Sequence, residues 1–431
     1  CTIIWSIVPR REKFCPPGPR LDLLQHPGLC ALLQDVAAKT REKLPREVYI
    51  SADMNAGVSQ QGGVLGMFGR RIMILGLPLL QVLSVGELRA VLVHEFGHYC
   101  GGDTKLTPLI YRTRSSIART LQNLGDGITH IVFRGYGQFF LRITRSIARH
   151  QEFAADELAA RLAGKRTFSA ALCKLHTMSP VYELYWHHEL AAVLNAGYLP
   201  PYINGFQHFL QCTDRQTDAD GMQEAAVSRE DSPYDTHPTL GERLKAIEGF
   251  AEGSLDENTP AISLIENLPF IETSLFASIG CTAGQHLTPL AWEEVGEKVY
   301  VPLYTVMVSK YAAALAGYTI EDICDIARDP QKLMDEIRRT AESALSAEDI
   351  ARHTSFVLGA AITVTLAQKG WQIFALPGEK LIVRNKGAEF APLDAVNRLF
   401  AKALTMVEWR ELCRELGNCE VVLWSSPHEV G

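Results

Sequence analysis

The sequence predicts a mainly helical protein with a small β-sheet, an α+β fold, and three observations support this. Apolar residues recur at helical spacing through long stretches such as 85–100 and 138–162. Short segments rich in β-branched and aromatic residues, at 48–50 and 71–75, have the composition of strands. Near the C-terminus, WQIFALPGEKLIVRN (371–385) predicts two strands joined by a turn at Pro377-Gly378.

The composition is that of a folded protein of two or three domains. The chain has 431 residues, of which 47% are apolar and 21% charged, so a packed core is feasible. The net charge of −7 gives no basic surplus, which argues against a nucleic-acid partner. Ten cysteines without a CxxC pair or regular spacing indicate reduced thiols in the cytosol.

The first residues, CTIIWSIVPRREK, are mostly apolar and then basic. This order predicts the end of a truncated membrane segment with a cytoplasmic positive flank over residues 1–14, and an irregular N-terminal arm is the alternative. The prediction implies a membrane-anchored protein whose catalytic domain lies in the cytoplasm. Further along, the apolar stretches 72–86, 190–213 and 354–368 are too short or too interrupted to span a bilayer, so we expect them in the core.

Changes in composition predict the domain organisation. We expect one domain over residues 15–250, a linker at 251–260 (AEGSLDENTP), and a C-terminal helical, α+β accessory domain over 261–431. Within the first domain, 213–235 is polar and predicts a surface loop. Within the second, 394–416 predicts the final helix.

The segment SVGELRAVLVHEFGHYCGG (84–102) predicts a well-bounded helix. Ser84 and Glu87 have the spacing of a capping box, and the glycine pair at 101–102 ends the helix. The motif HEFGH, 94–98, therefore lies in the second half of this helix.

His94 and His98 stand one helical turn apart, so both imidazoles can bind one metal ion. Catalytic zinc takes three protein ligands and keeps a fourth position open for water. Glu95 lies beside the first ligand, where a carboxylate can accept a proton from that water. The pattern H-E-x-x-H on a helix is typical of zincin metallopeptidases.

The third ligand must come from elsewhere in the chain. A metzincin would place His or Asp at position 104, which is threonine, so this arrangement is rejected. Glu152 is the best candidate, and Asp156 four residues later can fix the tautomer of a ligand histidine. The alternatives are His150 as a ligand and a solvated acidic helix face without a metal.

Three motifs in order carry a family resemblance: HEFGH at 94–98, RHQEFAADELAA at 149–160 and THPTLGERLKAI at 236–247. Together they resemble the HtpX and CAAX-prenyl-endopeptidase family of zinc metallopeptidases, which are gluzincins and often membrane proteins. MNAGVSQ at 54–60 also resembles a segment of that family. The resemblance covers about residues 45–250. Residues 255–431 show no resemblance from which a function can be inferred.

The resemblance implies a zincin-like domain that binds one Zn²⁺ per chain. Its ligands would be His94, His98 and Glu152, with Glu95 as general base and Asp156 as the carboxylate behind the ligands.

The resemblance also assigns roles around the cleft. His237 and Arg243 would face it and stabilise the oxyanion, although a turn residue and a surface ion pair are the ordinary interpretations of these two side chains. Asn55 and Ala56 would lie on or beside an edge strand that pairs with extended substrate.

These observations predict a zinc-dependent metalloendopeptidase acting on polypeptides in membrane-associated protein quality control. Processing of prenylated proteins is disfavoured, because no spanning helix separates the zinc motif from Glu152. The alternative from another class is a non-catalytic, zinc-stabilised scaffold or chaperone-like adaptor, and the presence of Glu95 favours the enzyme. A latent peptidase, covered by 213–235 or by the C-terminal region, is a further alternative.

Overall fold

The computed structural model describes residues 14–61, 69–100, 128–212, 238–254, 257–280, 287–340, 346–417 and 420–424. They belong to two compact units. Unit 1 comprises residues 1–184 and 216–287, and unit 2 comprises 185–215 and 288–431. The residues on which the membrane-segment and surface-loop predictions depend, 1–13 and 213–235, lie outside the described residues.

A four-stranded sheet lies in unit 1. Its strands are β1 (Arg20–Leu21), β2 (Glu47–Ser51), β3 (Ala56–Gln61) and β4 (Arg70–Gly76), in the order β1-β2-β4-β3. β2 and β4 run parallel, whereas β1 and β3 pair antiparallel with their neighbours. Among the described strands, β3 therefore occupies an edge of the sheet.

The helices make up most of both units, which confirms the predicted fold class. In chain order they are α1 (Pro27–Thr40), α2 (Leu77–Val82), α3 (Val85–Cys100), α4 (Ile128–Ala163), α5 (Lys165–Leu184), α6 (Ala191–Asn195), α7 (Tyr202–Gln211), α8 (Leu240–Ala246), α9 (Leu268–Gly280), α10 (Trp292–Val295), α11 (Val301–Ser309), α12 (Ala312–Leu315), α13 (Ile323–Arg328), α14 (Gln331–Thr340), α15 (Ala347–Gln368), α16 (Pro392–Phe400) and α17 (Met406–Leu416). Of these, α6, α7 and α10 to α17 belong to unit 2.

Helix α3 begins as predicted. The Ser84 N–H donates to the Glu87 carboxylate at 2.8 Å, and the Glu87 N–H donates to the Ser84 hydroxyl at 3.2 Å, which completes the capping box. One face of the helix is fully buried through Leu88, Leu92 and Phe96. This buried apolar face fixes how α3 is rotated about its own axis. It therefore also fixes the direction in which His94 and His98 point.

The predicted linker, 251–260, lies within unit 1. The N–H groups of Lys165 and Arg166 donate to the carbonyls of Ala251 and Glu252, and the Val85 N–H donates to Thr259 at 2.8 Å. These backbone hydrogen bonds tie the segment to the starts of α3 and α5. The structure therefore divides the chain at 184/185, 215/216 and 287/288 instead of at 251–260.

In unit 2, β5 (Tyr198–Leu199) and β6 (Thr288–Pro289) form a two-stranded parallel sheet. The core of unit 2 is built around α15 and a three-stranded sheet, β7 (Gln372–Phe374), β8 (Ile382–Asn385) and β9 (Ala388–Phe390). β7 and β8 are the antiparallel pair predicted around Pro377-Gly378. Within the described part of the chain, Glu348–Gln368 has the length and composition of a membrane span, but 72% of its apolar window is buried inside the protein. This burial agrees with the prediction that 354–368 belongs to the core.

The predicted final helix, 394–416, is two helices, α16 and α17. Ala401–Thr405 separates them, with Lys402 at a positive φ of 59°. A new capping box then starts α17, in which the Thr405 hydroxyl accepts from the Glu408 N–H at 3.3 Å. The single-helix prediction was wrong because local capping ends one helix and begins another.

Candidate metal centre

Three predicted ligand side chains converge between α3 and α4. One ligand atom each from His94, His98 and Glu152 lies within 4.8 Å of the others. The Glu152 carboxylate oxygens lie 3.6 Å from Nε2 of His94 and 3.9 Å from Nε2 of His98. His150 is exposed and lies outside this cluster, so the structure gives no support to it as a ligand.

The spacing and chemistry of these atoms fit a zinc ion. Zinc binds imidazole nitrogen and carboxylate oxygen at about 2.0–2.2 Å, and tetrahedral geometry then places neighbouring ligand atoms roughly 3.4 Å apart. The two separations between Glu152 and the histidines, each to a different carboxylate oxygen, exceed that value by 0.2 and 0.5 Å. Two imidazoles and one carboxylate are also the three-ligand set of a catalytic zinc site, which leaves one position for water.

A close approach of α3 and α4 brings the ligands together. Gly97 faces Ala155, and a Cβ built on Gly97 would lie only 3.0 Å from the Ala155 Cα. Small residues at this contact allow the two helix backbones to come near enough for side chains of ordinary length to share an ion. The HExxH spacing places two candidate ligands on α3. The contact between Gly97 and Ala155 brings the third, Glu152 of α4, close to them.

A Gly97→Leu substitution is expected to separate α3 from α4. The added side chain would overpack the contact with Ala155 and cost about 1–3 kcal/mol of unfolding free energy. Since Glu152 would move away from the histidines, zinc affinity should fall by at least about tenfold. Competition with a chromophoric chelator measures this. Gly249→Leu, at an exposed glycine with open space around it, is the control and should leave the affinity unchanged.

Asp156 holds the imidazole of His94 in place on the side away from Nε2. Its fully buried carboxylate accepts from Nδ1 of His94 at 2.9 Å, which holds the proton on Nδ1 and leaves Nε2 for a metal. Phe168 stacks on the same imidazole with ring centroids 5.8 Å apart. Burial alone would raise the pKa of Asp156, but hydrogen bonds from Arg243 and His94 lower it on balance. Asp156 thus contacts a candidate ligand histidine, and its predicted role in the site stays a prediction.

Arg243 lies deeper than predicted. Its guanidinium donates to both oxygens of Asp156, from Nε at 2.9 Å and from Nη2 at 2.5 Å, and the side chain is buried. Nη2 also lies 3.8 Å from the Glu152 carboxylate. This bidentate pair holds the guanidinium beside Asp156 and near Glu152, and the predicted role of Arg243 in stabilising an oxyanion stays a prediction.

Glu95 follows His94 in α3 and lies near the Glu152 carboxylate. Burial is the main cause that raises its pKa to about 7, and the Glu152 charge adds to this, whereas His94 and Arg243 lower it. Its carboxylate accepts a hydrogen bond from the Val58 backbone N–H of β3. Burial, and then the charge of His94, lower the pKa of His98 to about 4, which favours the neutral imidazole that binds metals.

The remaining predicted residues have different outcomes. Ala56 begins β3 at the edge of the sheet, and the Asn55 side-chain oxygen accepts from the Ala56 N–H at 2.8 Å. Their roles in substrate binding stay predictions. His237 lies outside the described residues, so its predicted role also stays a prediction.

Two interactions of Glu242, at the start of α8, were not predicted from the sequence. Thr239 and Glu242 form a capping box at the start of α8, and Arg149 of α4 donates to Glu242 at 2.5 Å. The T-x-x-E pattern at 239–242 was a visible signal for the cap. The partner of Glu242 was not visible, because it depends on how the helices pack.

A family model described as peptidase family M48 matches residues 25–251, more than half of the chain. The chain belongs to peptidase family M48. The matched residues of this M48 protein include all three ligand side chains, Glu95, Asp156 and Arg243.

Curated proteins similar to this M48 chain bear the name Protease HtpX. The one from Acinetobacter baylyi is 34% identical over 122 residues, which cover 23% of this chain and 40% of the relative. Those from Acinetobacter baumannii and Nitrosococcus oceani are 33% and 34% identical, over 39% and 41% of their lengths. The M48 chain thus spans about two-fifths of the length of these relatives. The predicted HtpX-like resemblance is confirmed.

Proposed function

We propose that this chain is a zinc-dependent endopeptidase. The observation that supports it best is the convergence of His94, His98 and Glu152 in a chain of peptidase family M48, with Glu95 beside them. Bound zinc would supply Lewis-acid activation of water and of the peptide carbonyl. Glu95 would take the proton from the attacking water and pass it to the leaving amine.

The other residues of the site would hold this arrangement in place. Asp156 orients His94 through Nδ1, and Arg243 neutralises and orients Asp156, so we assign both as positioning residues. The Val58 N–H orients Glu95. Since β3 also carries Ala56 at the sheet edge, an extended substrate running along β3 would meet Glu95 directly.

We also propose that the substrate is polypeptide, that the protein works at a membrane with its catalytic domain in the cytoplasm, and that it serves in protein quality control. The support for membrane attachment is the apolar and then basic order of residues 1–13. The support for quality control is the similarity to proteins named Protease HtpX.

Metal analysis and metal removal test the peptidase proposal. Purified protein should carry one equivalent of zinc, lose cleavage of unfolded casein in 1,10-phenanthroline, and regain it when stoichiometric zinc is restored. Glu152→Gln should lower zinc affinity by at least about tenfold, because it removes a charged ligand. Glu157→Gln, on the exposed face of the same helix, is the matched control. Casein cleavage that persists in metal-free protein would contradict the proposal.

A further inference from the structure

Unit 2 contains a cavity of about 670 Å³, a size typical of ligand sites. One wall is aromatic. Tyr300 and Tyr304 lie with ring centroids 5.7 Å apart, and Phe356 meets Tyr304 edge-on at 5.6 Å. Because Tyr300, Leu303 and Tyr304 follow helical spacing, they present one continuous face to the cavity.

The charges that line the cavity are mainly negative. Glu189, Glu379 and Asp394 contribute carboxylates, and Lys380 contributes the one ammonium group among its lining residues. Lys380 forms an ion pair with Asp394 at 3.2 Å, and Nε2 of His208 lies 2.7 Å from the Glu379 carboxylate. Glu189 lies close enough to Tyr300 and Tyr304 that its charge, after burial, raises the pKa of both phenols. Aromatic faces beside carboxylates attract an organic cation.

Unusual backbone conformations position Glu189 and Tyr300 in the lining of the cavity. Two π-helical turns occur in the described chain, at Tyr185–Leu190 and Gly296–Tyr300, and each contributes to this cavity. The first contributes Glu189 and the second ends at Tyr300. Such turns are rare and concentrate at functional sites.

The second π-turn is packed so closely that only glycine fits. A Cβ on Gly296 would lie 2.1 Å from the Ile373 carbonyl oxygen. The Gly378 N–H donates to the Glu189 carboxylate at 3.3 Å, and Gly378 has a positive φ of 81°. The carboxylate and the ring are therefore held by the backbone of β7 and of the turn that follows it.

An apolar surface continues from the cavity. Leu303, which lines it, is 49% exposed, and Val306 on the next turn of α11 is 64% exposed. A small free cation would not cover this surface, and an anionic membrane would be repelled by the carboxylates. A polypeptide that carries an arginine or lysine beside aliphatic side chains matches both the charge and the apolar surface.

We propose that this cavity of unit 2 binds polypeptide segments in which a basic side chain neighbours aliphatic ones. The cation enters between Glu189 and the tyrosine rings, and the aliphatic neighbours cover Leu303 and Val306. The binding is separate from hydrolysis, so the proposal does not rest on the peptidase assignment.

Peptide binding to the full chain tests it, in a Glu95→Gln background so that no peptide is cut. The probes are two fluorescein-labelled glycine–serine peptides, one with arginine between two leucines and one with uncharged citrulline in its place. We expect the arginine peptide to bind on the order of tenfold more tightly. Glu189→Gln should remove this preference, whereas Glu348→Gln, an exposed carboxylate on α15, should keep it.

A second variant tests the apolar surface without touching the buried groups. Leu303→Ser should weaken both peptides several-fold, and Val407→Ser, at a comparably exposed position on α17, should weaken neither. Equal binding of the two peptides, or a preference retained by Glu189→Gln, would overturn the proposal. So would competition by N-acetyl-arginine amide as strong as that by the arginine peptide, since this would define a site for small cations.

Discussion

A Glu95→Gln substitution is expected to lower casein cleavage by roughly 10²–10⁴-fold while zinc content stays at one equivalent. Glutamine has nearly the shape of glutamate, and its amide oxygen can still accept from the Val58 N–H. The ligands therefore keep their positions, and the site loses only a group able to accept a proton. The measurement is the cleavage rate of unfolded casein by variant and parent at equal zinc content.

Glu157→Gln serves as the control, because it makes the same chemical change on the exposed face of α4. If the Glu95 variant and the parent cleave casein equally, the peptidase mechanism is eliminated. A zinc-stabilised scaffold needs the three ligands and has no need of Glu95, so that result would favour the scaffold.

Much of the candidate site could be predicted because its information is local. Residues four apart on a helix share a face whatever the rest of the fold does, so the sequence could pair His94 with His98 and Glu152 with Asp156, and in the structure these residues lie together. The capping box at Ser84 located the start of the first helix. The two pairs met because residues as small as Gly97 and Ala155 permit a close helix contact, which could not be recognised without the partner helix.

The pairing of Arg243 with Asp156 could not be predicted from local sequence. Its partner Asp156 is 87 residues away in the chain, and no spacing rule connects them. From the sequence an arginine near a catalytic motif suggests contact with developing negative charge. In the structure a buried carboxylate binds two of its donors, because an unpaired carboxylate at that depth would be costly.

The domain division could not be predicted for a related reason. Residues 251–260 have the polar, glycine-containing composition of a linker, yet their backbone carbonyls accept hydrogen bonds from the starts of α3 and α5. The division at 184/185 falls instead in an ordinary helical sequence, YELYW, without glycine or proline. Composition identifies segments that lack apolar residues, and it does not show which unit supplies their hydrogen-bond partners.

An Arg243→Met substitution should destabilise unit 1 by about 3–5 kcal/mol. Methionine fills much of the space of the arginine stem, so the main change is the loss of charge. The carboxylate of Asp156 would stay fully buried with only His94 as its partner among the contacts in this structure. We expect zinc binding to weaken as well, since Asp156 orients His94.

Amide hydrogen exchange of α3 and α4 in metal-free protein measures this loss, because zinc binding then cannot contribute to stability. Tryptophan fluorescence would follow the unfolding of unit 2 instead, since every tryptophan in the described residues belongs to that unit. Arg149→Met is the matched control. That arginine is 18% exposed and pairs with Glu242, whose side chain is 40% exposed. The Glu242 carboxylate stays hydrated when the arginine is removed, so the loss should be smaller, about 1 kcal/mol.

Adding Asp156→Asn to the Arg243→Met variant separates the charge from the packing. Since asparagine leaves no unpaired charge in the interior, the double variant should recover part of the stability that Arg243→Met alone loses. If Arg243→Met costs no more than Arg149→Met, the pair with Asp156 does not stabilise the site. Arg243 would then be better assigned to the cleft, as the family resemblance first implied.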